Sequence, residues 1–226
     1  MMVESAFPFC PLCSNNTVRL YFHTGLREYY KCSICDLVFV HPRHYLSREA
    51  EFRRYELHDN DAENPGYNNF LNKLLIPMTQ RISVTANGLD FGSGPVPLLQ
   101  QKFEDLGHIV AVYDSFYAAN STVFDQVYDF ITASEVIEHL HQPLVDLDRL
   151  WCCLKPGGHL GIMTGILKPE LDFGSWYYNS DTTHVIFFSP ASFDWLGRHW
   201  NAELEYSGDN VVIFRKSPVK GNNHAE

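Results

Sequence analysis

Apolar and polar positions along this chain change period repeatedly, and the changes mark elements. From Gly88 onward, short apolar runs alternate with helical periods. Gly88–Phe91 reads as a strand and Pro95–Leu106 as a helix closed by Gly107. Ile109–Tyr113 and Asp129–Ala133 read as strands, and Pro143–Leu154 as a helix. Lys155-Pro-Gly-Gly158 then turns into a strand over His159–Thr164. Ser189–Trp200 reads as the last helix, followed by a hairpin of Glu203–Tyr206 and Asn210–Arg215 around Gly208-Asp209. Upstream, Asn64-Pro-Gly66 is a turn, and Tyr67–Met78 is an amphipathic helix expected to stop near Pro77. Ser47–Glu63 is polar and charged, with no element predicted. Strands alternating with helices imply an α/β fold, a mostly parallel doubly wound sheet covered on both faces.

Composition fits that reading. The 226 residues are 45% hydrophobic, with 16 Phe, 12 Tyr and 4 Trp, enough for a substantial core. No run of about 18 apolar residues is present, and the start has neither a basic nor an apolar leader segment. A cytoplasmic location and no membrane contact are expected. The net charge of −10 disfavours nucleic acid as a partner. Residues 1–54 carry seven Lys/Arg against five Asp/Glu, and residues 55–226 carry ten against 22, a shift that points to two modules. Oligomeric state is not encoded in any pattern we find.

Four cysteines fall as Cys10-Pro-Leu-Cys13 and Cys32-Ser-Ile-Cys35. Two residues between cysteines let one turn aim both thiolates at one ion, and the spacer is long enough for a hairpin that delivers the second pair. The arrangement predicts a structural zinc ribbon with a closed coordination sphere. Two disulfides and an iron–sulfur centre are the alternatives. Cys152 and Cys153 follow helical periodicity and read as core.

Leu89-Asp-Phe-Gly-Ser-Gly-Pro95 closes the first strand of the main domain. Gly92 and Gly94 allow backbone to approach a ligand where such sheets bind them, beyond the strands' carboxyl ends. The third glycine of a dinucleotide fingerprint is replaced by Pro97, and Pro95 and Pro97 lack two N–H groups that a phosphate would need. What remains suits an uncharged or cationic ligand. Asp114 ends the next strand, where a carboxylate can accept from ribose hydroxyls.

Together, Leu89–Gly94, Asp114, Tyr128–His139 and Leu154–Gly158 resemble the successive motifs of class I S-adenosylmethionine-dependent methyltransferases. The resemblance covers roughly residues 78–215 and is closest to small bacterial members with an N-terminal zinc ribbon. Tyr55, His58, Asn60, Gly66-Tyr67 and Asp181–Phe188 also resemble that group. The resemblance implies a Rossmann-like, doubly wound, seven-stranded methyltransferase sheet with its last strand antiparallel, and S-adenosylmethionine as cofactor beside structural zinc. The implied division is a zinc ribbon (1–45), a helical linker and cofactor-side cap (46–80), the methyltransferase domain (81–217) and a disordered tail (218–226). Asp90, Gly92 and Gly94 would hold the methionine portion, Asp114 the ribose and Phe116 the adenine, with Ser134 or Glu135 lining the methyl-donor site. Two departures stand out: Val96 replaces the usual third glycine of the first motif, and Ser115–Gln126 is short for a helix plus a strand.

For the chemistry, two histidines compete as catalytic residues. His184 lies in a loop where substrates of this fold reach the methyl group, and His139 follows the fourth strand. Trp176-Tyr-Tyr178 and Phe187-Phe188 wall a pocket or form plain core. Glu135-Val-Ile-Glu138-His139 lacks the leading histidine of a zincin pair, so no second metal is expected. The leading function is methyl transfer to a small-molecule acceptor, nucleotide-linked ones included, because Arg43, Arg48, Arg53 and Arg54 offer an anion a place to dock. The rivals are RNA or protein methylation with the ribbon as docking module, a catalytically silent adaptor, and an NAD-dependent oxidoreductase.

Overall fold

The computed structural model describes residues 8–56 and 64–218. His58 and Asn60 lie outside them, as does all but the first residue of the tail expected to be disordered. Strands β1 (Val18–His23), β2 (Glu28–Cys32) and β3 (Val38–Val40) form an antiparallel meander. Helices α1 (Arg48–Tyr55) and α2 (Pro65–Thr79) follow. The main domain runs β4 (Asn87–Phe91), α3 (Leu98–Asp105), β5 (Ile109–Tyr113), β6 (Tyr128–Ser134), α4 (Pro143–Cys152), β7 (Leu154–Met163), β8 (Ile186–Phe187), α5 (Pro190–Trp200), β9 (Glu203–Ser207) and β10 (Val211–Arg215).

The central sheet has the order β5-β4-β6-β7-β10-β9. The pairs β4–β5, β4–β6 and β6–β7 are parallel, while β10 is antiparallel to both β7 and β9. This is the expected Rossmann-like α/β sheet with a reversed strand at one side. It holds six strands among the described residues, where seven were expected. The reason lies between β5 and β6. Asp114 and Ala118 form an isolated bridge, and Ser121–Asp125 makes one 3-10 turn capped by Asn120. Too few residues remain for a crossover helix and another strand, so β5 is an edge.

Leu74 and Met78 of α2 and Leu99 and Phe103 of α3 are buried on one face of the sheet. Leu147 and Leu150 of α4 and Phe193 and Leu196 of α5 share a core with the N-terminal module on the other. Local expectations shift in places, and Cys152, read as core, is exposed beside buried Cys153. Ser47 caps α1 by accepting from the Ala50 N–H, so the polar stretch carries a helix. Helix α2 runs to Thr79 and so ends near Pro77 as expected; Pro77 stands in the last turn, where the missing N–H costs one hydrogen bond rather than a ladder. Helix α3 starts at Leu98 instead of Pro95, because Pro95 and Pro97 bias the residues before them away from helical angles.

The short strand β8 leaves the central sheet altogether. It pairs antiparallel with β3, Val38 opposite Phe187 and Phe39 opposite Ile186, and completes the order β1-β2-β3-β8. The Val40 N–H donates to the Val185 carbonyl at 2.8 Å. Ser192 Oγ, in the first turn of α5, donates to the Cys35 carbonyl at 2.9 Å. Phe187 is fully buried among Tyr29, Phe173, Trp176 and Tyr178. Phe187→Ala is therefore expected to cost about 3–5 kcal/mol in one transition common to both sheets. Urea melts followed by ribbon-side and main-domain fluorescence test this, and two separated transitions would contradict it.

Candidate active site

Strand β4 ends in a turn that only glycine makes cheaply. Gly92 has φ +78° and Gly94 φ +66°, and a Cβ on Gly92 would come within 2.4 Å of the Val136 side chain. The N–H groups of Gly92 and Ser93 both donate to the Tyr113 carbonyl, at 2.7 and 3.2 Å, tying the turn to the end of β5. One residue on, the Asp114 carboxylate accepts from Gly94 N–H at 3.0 Å, Phe116 N–H at 2.8 Å and Tyr117 N–H at 3.1 Å. A carboxylate has about four acceptor positions, so Asp114 shapes the loop and keeps one position for a ligand.

A cavity of about 790 Å³ opens beyond the carboxyl ends of β4, β5 and β6. Gly92, Gly94, Asp114, Phe116, Ser134, Glu135, His139 and His184 all line it. Asp90 does not. It is buried beneath the turn and accepts from the Thr132 hydroxyl at 2.8 Å. Burial is the main cause that pushes its carboxyl up to about 6; the Thr132 hydrogen bond opposes this and the nearby charge of Asp114 adds to it.

Helix α1, within the segment 46–80 that the resemblance implied as a helical cap, supplies a wall. Arg48, Glu51, Arg54 and Tyr55 face the cavity. Arg48 donates to the Ser115 carbonyl at 2.7 Å and lies 4.7 Å over the Phe116 ring. Glu51 meets His141 at 2.8 Å, and Arg54 meets Asp181 at 3.3 Å. Arg43 is paired with Glu28 at 2.6 Å. Three of the four arginines expected to dock an anion thus hold the protein's own groups. Tyr67, Phe70, Tyr178 and Asp181 complete the wall. The helical period of 67–78, the resemblance of Tyr55, Tyr67 and Asp181, and Tyr178 as a candidate pocket wall hinted at parts of this; Glu51 and Phe70 carried no such signal.

The acceptor side is an interlocked polar cluster. Both histidines are oriented by backbone: His139 Nδ1 lies 3.2 Å from the Thr183 carbonyl, and His184 Nδ1 lies 2.7 Å from the Tyr178 carbonyl. A carbonyl only accepts, so each Nδ1 carries a proton, and in the neutral imidazole Nε2 presents a lone pair. Burial holds the His139 pKa below the ordinary value. Glu135 adopts φ +50°, a strained conformation of the kind found at functional sites. Its burial, together with the charge of Glu138, pushes its carboxyl up to about 9. Glu138 is fully buried and accepts from the Tyr178 and Thr164 hydroxyls, the latter at 3.0 Å.

The four N-terminal thiols also converge. Cys10 and Cys35 Sγ are 3.5 Å apart, as are Cys13 and Cys32, and all four lie within 4.8 Å of one another. A tetrahedral ion with Zn–S near 2.3 Å places sulfurs roughly 3.8 Å apart, so the set could hold zinc. Both turns have the same build. Ser14 and Asp36 are left-handed, and the N–H of each donates to the carbonyl of Cys10 or Cys32 respectively.

The crevice lies beyond the carboxyl ends of the strands in a reversed-strand α/β sheet, where Rossmann-like folds bind ligands. A family profile described as a methyltransferase domain matches residues 50–207, and the chain belongs to that family. No curated protein sequence matches the chain. A structure from Burkholderia thailandensis, of 1,6-didemethyltoxoflavin-N1-methyltransferase with bound 1,6-didemethyltoxoflavin and S-adenosylhomocysteine, is similar over 88% of this chain and 99% of that one. Its TM-score is 0.53 at 13% identity. An O-methyltransferase family protein from the same organism is similar over 79% and 71%, with a TM-score of 0.47 at 12% identity. At 13% identity the first of these likenesses speaks to fold alone.

Asp90 gives a pH test. Its folded pKa, about 6, lies above the ordinary 3.8, so the folded state binds the proton more tightly. The stability this contributes is present below about pH 4 and lost as pH rises through about 6, a change on the order of 2–3 kcal/mol. Asp90→Asn keeps the acceptor for Thr132 and removes the titration. Denaturant melts are expected to show the variant gaining on the wild-type protein by that amount between pH 4 and 7.5; parallel curves would refute it.

Proposed function

We propose that this methyltransferase uses S-adenosylmethionine to methylate a small molecule. The observation that carries the reading is the glycine turn held against Asp114 at the mouth of an acidic, 790 Å³ cavity. The fit was tested on the donor set. Glu51, Asp114, Asp146 and Asp181 face the cavity against Arg48 and Arg54. Arg54 pairs with Asp181 and Arg48 holds the Ser115 carbonyl. The raised pKa of Glu135 keeps it from adding charge near neutral pH, yet carboxylates still outnumber the remaining cation. That balance attracts a cation and repels a dinucleotide's pyrophosphate, and Pro95 and Pro97 take away the N–H groups a phosphate would want. When bound, the cofactor supplies an electrophilic methyl group.

This chain's residues then divide the work. Asp114 accepts from ribose hydroxyls with its remaining position. Phe116, already flanked by Phe52 and Tyr55, stacks on the adenine. Gly92 and Gly94 give the methionine portion its close approach, and Ser134 and Glu135 face the reacting end. Asp90 acts from below, by fixing the turn. His139 and His184 face the acceptor, each through an unprotonated Nε2 able to take a proton or hold a Lewis acid. An in-line displacement needs positioning above all, which the aromatic wall and the α1 helix provide. The acidic cavity disfavours RNA, and with three arginines engaged a nucleotide handle has little to bind. The organisation that fits is a zinc ribbon over residues 1–45, a cap over 46–80 and a catalytic domain over 81–217, with Cys10, Cys13, Cys32 and Cys35 holding structural zinc.

Calorimetry is expected to show micromolar binding of S-adenosylhomocysteine and none of NAD; the reverse would sink the reading. Asp114→Asn is expected to weaken that binding by about 1.5–3 kcal/mol and to lower the melting temperature, since its carboxylate also holds three backbone N–H groups. With labelled S-adenosylmethionine and a cell extract, label should enter small metabolites and fall by about 100-fold or more in His184→Ala. Label in RNA instead would reassign the acceptor.

The ribbon makes a separate expectation. Purified protein should carry zinc that a Cys10→Ser, Cys13→Ser double variant lacks, and a strong chelator should lower the melting temperature, because binding is linked to folding. Metal analysis that shows no difference between the two proteins would refute it.

A further inference from the structure

Glu138, His139 and His184 bring their ligand atoms within 4.8 Å of one another; the two histidines line the cavity and Glu138 is fully buried. The sequence argued against a second metal because Glu135 stands where a local pair would need histidine. Folding supplies the second imidazole from elsewhere: the segment before β8 delivers His184 to within 4.7 Å of His139, ring centre to ring centre.

Three independent features point to a cation. Each imidazole has its Nδ1–H committed to a backbone carbonyl, which is how protein structures orient a metal-binding Nε2. Neither Nε2 has a hydrogen-bond partner among the described residues. Glu138 is fully buried without an ion pair among those residues, and a buried carboxylate with no positive partner is costly. The hydroxyls of Thr164 and Tyr178 occupy one acceptor position on each of its oxygens and leave others free. They hold the carboxylate as outer partners hold a ligand.

We infer that Glu138, His139 and His184 form a three-ligand site for a divalent first-row transition ion, with its open positions facing the cavity. Two imidazoles and one carboxylate are the donor set of zinc-like ions and not of magnesium or calcium. Ligands on an ion at about 2.1 Å stand roughly 3–4 Å apart, so small rotamer adjustments close the site. The histidines line the cavity and give the ion its entry path. Resting on the methyl-transfer reading, the site also names the acceptor's class: a hydroxyl whose oxygen enters an open position has its pKa lowered by the ion and releases its proton to water. Its oxygen–methyl bond forms as the sulfonium's sulfur–methyl bond breaks to leave the neutral thioether. In that arrangement the imidazoles are ligands rather than bases.

The test adds cobalt(II) to full-length protein that retains its ribbon zinc after dialysis against citrate. One further equivalent is expected, with an X-ray absorption spectrum of nitrogen and oxygen ligands including two imidazoles. Cobalt bound only to sulfur, or no binding below millimolar cobalt, would overturn the site. His139→Asn, His184→Asn and Glu138→Gln should each weaken cobalt binding by a factor of about ten or more; unchanged affinity in all three would also overturn it. The wild-type spectrum decides the question alone if a variant fails to fold. S-adenosylhomocysteine heat, measured on the same samples, reports the donor reading separately and should persist in the variants.

Discussion

The pairing of two-residue strand β8 with β3 is the constraint on which the site depends. Val38 and Phe39 fix the register of Phe187 and Ile186, and the segment just before β8 is thereby fixed as well. Arg27, buried in the N-terminal module, donates to the His184 carbonyl at 2.8 Å and the Asp181 carbonyl at 3.3 Å. The Val185 N–H donates to the Glu138 carbonyl at 2.9 Å. A single seam therefore sets His184, His139 and Glu138 relative to one another. The ribbon's four cysteines stand close behind it, with the Cys35 carbonyl bonded to Ser192. A module of this size has little core of its own, and here it shares one with α4 and α5.

The shortened crossover after β5 has a second consequence. With β5 at the edge of the sheet, the loop that carries Phe116 is not covered by a further strand. Helix α1 covers it instead: Phe52 packs 5.5 Å from Phe116 and 5.8 Å from Tyr117, and Tyr55 reaches 5.2 Å from His139. One helix thus touches the adenine end and the acceptor end of the proposed site, which couples how the two are shaped.

Burial and acidity work together in the cavity. A carboxyl group desolvated beside another acid holds a proton that it would release in water, as Glu135 does beside Glu138. A positive guest relieves that crowding. The same electrostatics that favour a sulfonium on the donor side favour a metal ion on the acceptor side, and both oppose a polyanion.

Much of this was legible from the chain. Alternating periods gave the strands and helices from Gly88 on, because hydrophobic spacing is a local property that burial on a sheet face imposes directly. The two C-x2-C pairs and the Leu89–Gly94 turn with Asp114 were equally readable, since each depends on neighbours within one turn or on one strand end. Tertiary structure alone decided the rest. That Asp90 supports the turn from beneath, that Asp114 spends three acceptor positions on backbone, and that α1 forms a wall all depend on packing between distant segments. The departure of β8 from the main sheet decided most: Glu138 and His139 have no local histidine partner, and only long-range strand pairing brings His184 to them.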